Sequence, residues 1–123
     1  MKFVTLQAQD SSKVLYNTTI NPEYINYVEK SSERQVGHAI VKMALQAGQE
    51  SGRMTIAAMD DISTLHGKLP HLEPAVCYST MQAKASGPVL VNLARVMRIE
   101  IKDKFCVLQF VDGDTLVVTE SPI

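Results

Sequence analysis

Two segments of this chain, residues 5–17 and 80–92, resemble each other at an offset of 75 positions. Seven of their thirteen aligned pairs are identical, whereas average composition predicts about one identity by chance. After a four-residue change of offset the match continues in Asn21, Ile25, Val28 and Glu29, which align with Asn92, Val96, Ile99 and Glu100. The alternative is a chance match between strand-forming segments that share Val, Leu and Thr. We favour two related halves, spanning about 1–68 and 76–123.

The size of each half indicates how the two are arranged. A period of 75 residues is too long for a solenoid, and two copies are too few. The whole chain has 123 residues and a mass of 13.6 kDa, which suits one domain, whereas each half alone lies near the lower size limit for an independent hydrophobic core. We therefore predict a single domain in which the two halves pack against each other.

Four short segments of the second half are rich in β-branched or aromatic residues and are separated by turns, which is typical of strands. The pair Asp112-Gly113 between two apolar runs predicts a tight hairpin, because glycine adopts the positive φ that such turns require. Apolar residues do not alternate strictly around Arg98, which predicts a β-bulge or a twist there. The four predicted strands are 88–91, 95–101, 105–111 and 115–119.

One segment of the first half is ambiguous. Residues 35–47 contain many helix-forming residues, but their place in the repeat favours a strand. Residues 48–52 are predicted to close a hairpin onto a further strand over 54–59.

A short helix is expected at the end of the first half. Asp60 or Asp61 can cap a helix over 61–68, which Pro70 ends, and residues 70–74 then connect the halves. The sequence therefore predicts a mainly β fold of two related antiparallel β units, arranged as a sandwich or a partly open barrel, with one short helix.

Composition narrows the class of protein. The chain is 46% hydrophobic and 20% charged, with a formal net charge of −1, which is typical of a globular protein and unlike a uniformly basic nucleic-acid binder. No apolar run approaches the length of a membrane span, and the first ten residues lack the apolar core of a signal peptide. With only Cys77 and Cys106, a disulfide scaffold is not expected. We predict a cytoplasmic protein with reduced thiols and no membrane partner.

Residues 89–100 and 108–121 resemble small flagellar FlbD-like proteins and the C-terminal strands of LytTR domains. The shared pattern is Val-Asn, Ile-x-x-Ile-Glu, Asp-Gly and Val-x-x-Ser, and the first half follows the FlbD-like pattern more loosely. The resemblance to LytTR domains implies a mainly β DNA-binding domain of transcription regulators. That family places a basic His-Arg-Ser-like stretch before the Val-Asn pair, where residues 84–88 of this chain keep only the charge of Lys84.

The densest basic stretch lies in the second half and gives the candidate binding residues. Its five cations stand against Glu100 and Asp103, a net charge of +3. If the cations share a face, they can contact a phosphate or an acidic partner. The alternative is a solvated strand edge, where lysines discourage pairing with other chains. The candidate residues are Lys84, Arg95, Arg98, Lys102 and Lys104.

Candidate metal ligands are few. His66, His71 and Cys77 follow a His-x4-His-x5-Cys spacing, and a fourth zinc ligand would have to be Cys106 on a distant strand. This spacing matches no standard zinc motif. We interpret these residues as loop or helix histidines and buried thiols.

Residues for catalysis are equally sparse. Asp60 and Asp61 are explained more simply as helix caps than as an acid–base pair. The sequence has no nucleophile elbow, Walker loop or dinucleotide fingerprint. We therefore predict no catalytic residues, no enzymatic activity, and no cofactor or metal.

Three hypotheses for function follow. The leading one is a non-enzymatic, β-rich binding or assembly module that forms a homo-oligomer, since six methionines and no tryptophan supply adaptable apolar surface and exposed strand edges invite a second copy. The first alternative is a LytTR-like DNA-binding transcriptional regulator, whose affinity falls steeply with salt. The second is a module that binds a small phosphate-bearing ligand in a cleft between the halves, lined by Arg95 or Arg98.

Overall fold

A computed structural model describes residues 2–32, 36–44, 54–79 and 84–119 of the chain. These residues form a mainly antiparallel β structure with a single α-helix, α1 (Ile62–Lys68), which confirms the predicted fold class. Two short 3₁₀ turns, Pro22–Tyr24 and Leu93–Arg95, occur as well. The strands are β1 (Val4–Gln9), β2 (Leu15–Ile20), β3 (Ile25–Lys30), β4 (Ala39–Met43), β5 (Thr55–Ala58), β6 (Glu73–Ser79), β7 (Lys84–Val91), β8 (Val96–Ile101), β9 (Cys106–Phe110) and β10 (Thr115–Val118).

All these strands belong to one sheet, in the order β2-β1-β5-β4-β3-β7-β6-β10-β9-β8. The first five strands of this order have the arrangement 2-1-5-4-3, and adding five to each number gives the arrangement of the last five. The two sets meet where β3 pairs with β7. Within the described residues the sheet does not close into a barrel, so β2 and β8 are its two edges.

Details of strand pairing also correspond between the two sets. The β3–β4 pair shifts register between Ile25 and Tyr27, and the β8–β9 pair shifts between Val96 and Arg98, where the sequence predicts a bulge. Both bulges lie directly after a 3₁₀ turn. In both sets, the residue that follows the neighbouring strand, β4 or β9, donates its N–H to the carbonyl of the last turn residue. These bonds are Ala44 N to Tyr24 O (2.7 Å) and Val111 N to Arg95 O (2.9 Å).

The strand correspondence differs from the 75-residue sequence offset. Because β2 and β7 end directly before the 3₁₀ turns, Ile20 corresponds to Val91, whereas the offset of 75 aligns Tyr16 with Val91. A strand's register is set by its turns and by which residues face the core. The offset between corresponding residues of these two strands is therefore 71, the value that also relates β3 to β8.

The second set of strands begins earlier than the sequence predicts. Strand β6 starts at Glu73, inside the segment 70–74 that was assigned to a connector. Pro74 disfavours a strand because proline donates no ladder hydrogen bond. The Thr119 N–H donates to the Val76 carbonyl (2.9 Å), so the backbone N–H and C=O groups of even-numbered residues of β6 point toward β10. The nitrogen of Pro74 therefore points away from β7, and the ladder with β7 needs no N–H from it.

The structure confirms two further predictions of secondary structure. Strand β4 settles the ambiguous segment in favour of a strand over the residues described, while 35 and 45–47 lie outside them, as does the loop 48–52. Helix α1 begins after Asp61, whose carboxylate accepts a hydrogen bond from the Thr64 N–H (2.8 Å). This hydrogen bond lowers the pKa of Asp61 below its ordinary value.

The buried apolar residues form two hydrophobic cores, and each core includes one residue from the other set of strands. The first core contains buried apolar residues from β1 to β5, from α1 and from the segment after α1, together with Leu90 from β7. The second contains buried apolar residues from β7, β9 and β10, together with Tyr27 from β3. The Tyr27 ring stacks on Phe110 with a centroid distance of 5.9 Å. Each core therefore includes a side chain from the other set of strands.

In the described part of the chain, no helix is long and apolar enough to cross a lipid bilayer.

Candidate functional site

A buried polar network lies where the two strand sets meet. Asn26, at the bulge of β3, is fully buried. Its Nδ2 donates to Asp112 Oδ2 (3.0 Å) and, at 3.5 Å, to Asp114 Oδ2. Its Oδ1 accepts from Arg95 Nε (2.8 Å). A buried amide is stable only when its polar atoms are hydrogen-bonded, and here every one of these partners comes from the second set of strands.

Asn92 extends this network from the other side. It follows β7 and is almost fully buried. Its Nδ2 donates to the carbonyls of Ile25 (2.9 Å) and Glu23 (3.3 Å), and its backbone N–H donates to the Asn26 carbonyl (2.9 Å). Asn92 therefore ties the second set of strands to the 3₁₀ turn and bulge of the first.

An open groove of about 590 Å³ borders the network. It is lined from the first set by Lys2 and the turn Pro22–Tyr24, and from the second by Arg95 and its neighbours. The Arg95 guanidinium lies 5.8 Å from the centre of the Tyr24 ring, within the range of a cation–π contact. His71 Nε2 donates to the Pro22 carbonyl (3.0 Å) at the rim. The groove thus has two cations, Lys2 and Arg95, and one carboxylate, Glu23.

The five predicted cations do not all line this groove. Only Arg95 does, while Arg98 is exposed on β8 and Lys104 is exposed in the following turn. Lys102 Nζ lies 2.6 Å from Glu100 Oε1, and this hydrogen bond and charge lower the pKa of Glu100. Lys84 begins β7, so its backbone stands about 23 Å along the strand from Val91, the end next to Arg95.

The other candidate residues have structural roles or stand apart. Among the described residues, no three His, Cys, Asp or Glu side chains are placed to hold a metal ion. Asp60 forms an ion pair with Lys68 (2.6 Å). Cys106 is buried and Cys77 half-buried, and both are free thiols. Burial and the negative charge of Glu29 raise the pKa of Cys77.

Both edges of the sheet carry exposed apolar side chains. On and beside β2, the side chains of Val14, Leu15 and Tyr16 are 57%, 51% and 42% exposed. On β8, Met97 and Ile101 are 61% and 64% exposed. Within the described residues, β2 pairs only with β1 and β8 only with β9. Each edge therefore combines unpaired backbone with exposed apolar side chains, the combination that favours the addition of another strand.

Sequence reasoning missed the polar network. Its signal was present, because Asn26 interrupts the apolar run Ile25–Val28 and Asn92 ends the run Val89–Val91. A polar residue inside a buried strand needs a specific hydrogen-bond partner. The sequence does not reveal that the partners lie in the other set of strands.

Comparison with protein-family models, with curated protein sequences and with solved structures gave no match to this chain. The resemblance to FlbD-like proteins and LytTR domains therefore stays a sequence-based prediction.

Proposed function

We propose that this protein is a non-enzymatic assembly module, made of two related β units, which forms homo-oligomers through its strand edges. Relatedness of the units is supported by their common strand order and by the bulge at the corresponding place in each. The strand correspondence agrees with the sequence match of residues 21–29 to 92–100, at an offset of 71, and not with the match of residues 5–17 at an offset of 75.

The observation that best supports self-association is the state of the β2 edge, because the other edge strand, β8, carries the charged residues Arg98 and Glu100. Edge strands are commonly protected by lysine, proline or charged side chains. Strand β2 has none of these between Leu15 and Ile20, and it presents exposed Leu15 and Tyr16. This uncharged edge of six residues is long enough to accept a further strand.

Light scattering over a range of protein concentrations tests this proposal. We expect a mass above 13.6 kDa that rises with concentration. Leu15→Lys, which places a charge on the β2 edge, should lower the mass. Val111→Lys, at an exposed apolar position between β9 and β10, is the matched control and should leave it unchanged. A monomer at every concentration contradicts the proposal.

The groove supports a second candidate, the binding of a small phosphate-bearing ligand. A cleft between the two sets of strands lined by Arg95 is the feature expected of such a site, and Lys2 adds a second cation. Because Arg95 is fixed through Nε to Asn26, the far side of its guanidinium has a defined direction. Arginine binds phosphate best when its planar group is held in this way.

Calorimetric titration with inorganic phosphate tests the second candidate. We expect binding at millimolar phosphate that is weakened by Lys2→Gln. The matched control is Lys104→Gln, which removes an exposed cation of the turn after β8 and should have no effect. No heat of binding, or equal loss in both variants, would exclude a phosphate site in the groove.

A further inference from the structure

We infer that copies of this protein join head to tail, with β8 of one copy adding to β2 of the next in the register of the β3–β7 pair. This inference rests on the proposed self-association and names its geometry. It follows from the pairing that already exists inside the chain.

The β3–β7 pair is a junction between two strand sets of the same order. In that order β3 corresponds to β8, and β7 corresponds to β2. Within the described residues, the sheet therefore contains one junction of this kind and, at its two ends, one edge strand of each kind. The surface that β3 offers to β7 has its counterpart on β8, and the surface of β7 has its counterpart on β2.

Backbone hydrogen-bonding groups at both edges point outward at the corresponding residues. The bond from Asp10 N to Val14 O (3.0 Å) continues the β1–β2 register, so even-numbered residues of β2 bond to β1 and Thr19 faces outward. The bond from Lys102 N to Phe105 O (2.9 Å) likewise makes the even residues of β8 face β9, so Ile99 faces outward.

Thr19 and Ile99 are the counterparts of two residues that pair at the junction. There, Leu90 of β7 is opposite Val28 of β3, and the 71-residue correspondence relates Leu90 to Thr19 and Val28 to Ile99. The free groups of Thr19 and Ile99 therefore occupy the positions that already form a ladder within the chain.

The junction also fixes the register between copies. Tyr27 is opposite Val91, and Glu29 is opposite Val89. The same correspondence places Arg98 opposite Ile20 of the second copy, and Glu100 opposite Thr18 of the second copy.

A contact between unlike edges leaves a free β2 at one end of the assembly and a free β8 at the other. Such an interface closes into a ring when the rotation between copies allows it, and otherwise extends as a filament. A contact between like edges, β2 with β2 or β8 with β8, stops at a dimer.

Disulfide cross-linking between two single variants tests the polarity and the register together. Glu100→Cys and Thr18→Cys alter half-buried positions that face each other in a non-hydrogen-bonded pair, where Cβ atoms are close. On oxidation, an equimolar mixture should give a cross-linked species of twice 13.6 kDa, and neither variant alone should. Thr19→Cys, with its side chain on the opposite face, is the register control, and the unaltered chain controls for the native thiols.

Each result decides between the alternatives. A cross-link in Glu100→Cys alone would show pairing of like edges and overturn the inference, as would equal cross-linking with Thr19→Cys. An oligomer by light scattering without the mixed cross-link overturns the register but leaves the proposed function standing, whereas a monomer overturns both. If either variant loses its circular dichroism spectrum, Lys102→Cys with Tyr16→Cys supplies a second pair in the same register.

Discussion

The β3–β7 junction and the open edges β2 and β8 use corresponding backbone but different side chains. At the junction, Tyr27 packs in the second core and Leu90 in the first. At the edges, the corresponding positions carry Arg98 and Thr19, which are exposed. Apolar burial contributes about 25 cal/mol per Å², so the junction is stable within the chain. The more polar edges favour a weaker and reversible contact between copies.

The largest expected effect comes from weakening the junction. Leu90→Ala removes a side chain that is 2% exposed and belongs to the first core. We expect a loss of about 2–5 kcal/mol in the free energy of unfolding, from lost burial and the cavity that remains. Urea denaturation at low protein concentration measures it.

Thr19→Ala is the matched control for this experiment, because Thr19 occupies the corresponding place on the open edge. Its hydroxyl is hydrogen-bonded to the exposed hydroxyl of Thr5 (2.8 Å), so the free energy of unfolding should change by no more than ~0.5 kcal/mol. Equal losses in the two variants would contradict the contrast between junction and edge.

The asparagines after β7 and β2 give the next largest contrast. Asn92→Ala leaves the Ile25 and Glu23 carbonyls without their side-chain donor, and we expect a loss of about 1–3 kcal/mol in the free energy of unfolding. Asn21→Ala removes an exposed cap on the Glu23 N–H (3.1 Å) and should cost no more than ~1 kcal/mol. Thermal unfolding compares them, and a larger loss in Asn21→Ala would contradict the assignment.

Making an edge resemble the junction should strengthen association. Thr19→Leu with Arg98→Tyr restores the residue types of Leu90 and Tyr27. The added apolar area should tighten association about tenfold, or ~1.4 kcal/mol, as measured by sedimentation equilibrium. The control is Thr115→Leu, which adds the same side chain at an exposed position of β10, inside the sheet. If the control associates as tightly, the added leucine acts through nonspecific apolar association and not through strand pairing.

The smallest effect distinguishes Glu29 at the junction from its counterpart Glu100 at the edge. Burial and the charge of Glu29 raise the pKa of Cys77, so less reactive thiolate forms at a given pH. Glu29→Gln removes the negative charge and should shift the alkylation profile of Cys77 toward lower pH, with burial still holding it above that of an ordinary thiol. Glu100→Gln should leave the profile unchanged. Peptide mass mapping separates Cys77 from Cys106.

Local features of the fold could be predicted because their causes are local. Asp112-Gly113 specifies a turn through the positive φ of Gly113 (93°), and Asp61 specifies the start of α1 through one hydrogen bond. Strand β6 is missed because Pro74 argues against a strand, and only the hydrogen bond from Thr119 N to the Val76 carbonyl shows that the nitrogen of Pro74 points away from β7.

The candidate site could be predicted only in part. Arg95 was identified from its charge, but its neighbours Asn26 and Lys2 are 69 and 93 positions away in the sequence. No feature of the sequence near either segment predicts that the bulge in β3 lies beside the turn after β7. The five cations were grouped by sequence position, whereas the sheet places Arg95 in the groove and Arg98 on an outer strand.

Sedimentation equilibrium of Thr19→Pro shows whether copies of the chain join through the β2 edge. Proline removes the outward-facing N–H of β2 and adds a ring at the edge, while the bonds from β2 to β1 use the neighbouring even-numbered residues. We expect the unaltered chain to associate. We expect Thr19→Pro, with an unchanged circular dichroism spectrum, to stay at 13.6 kDa. Association of Thr19→Pro as tight as that of the unaltered chain would contradict this expectation.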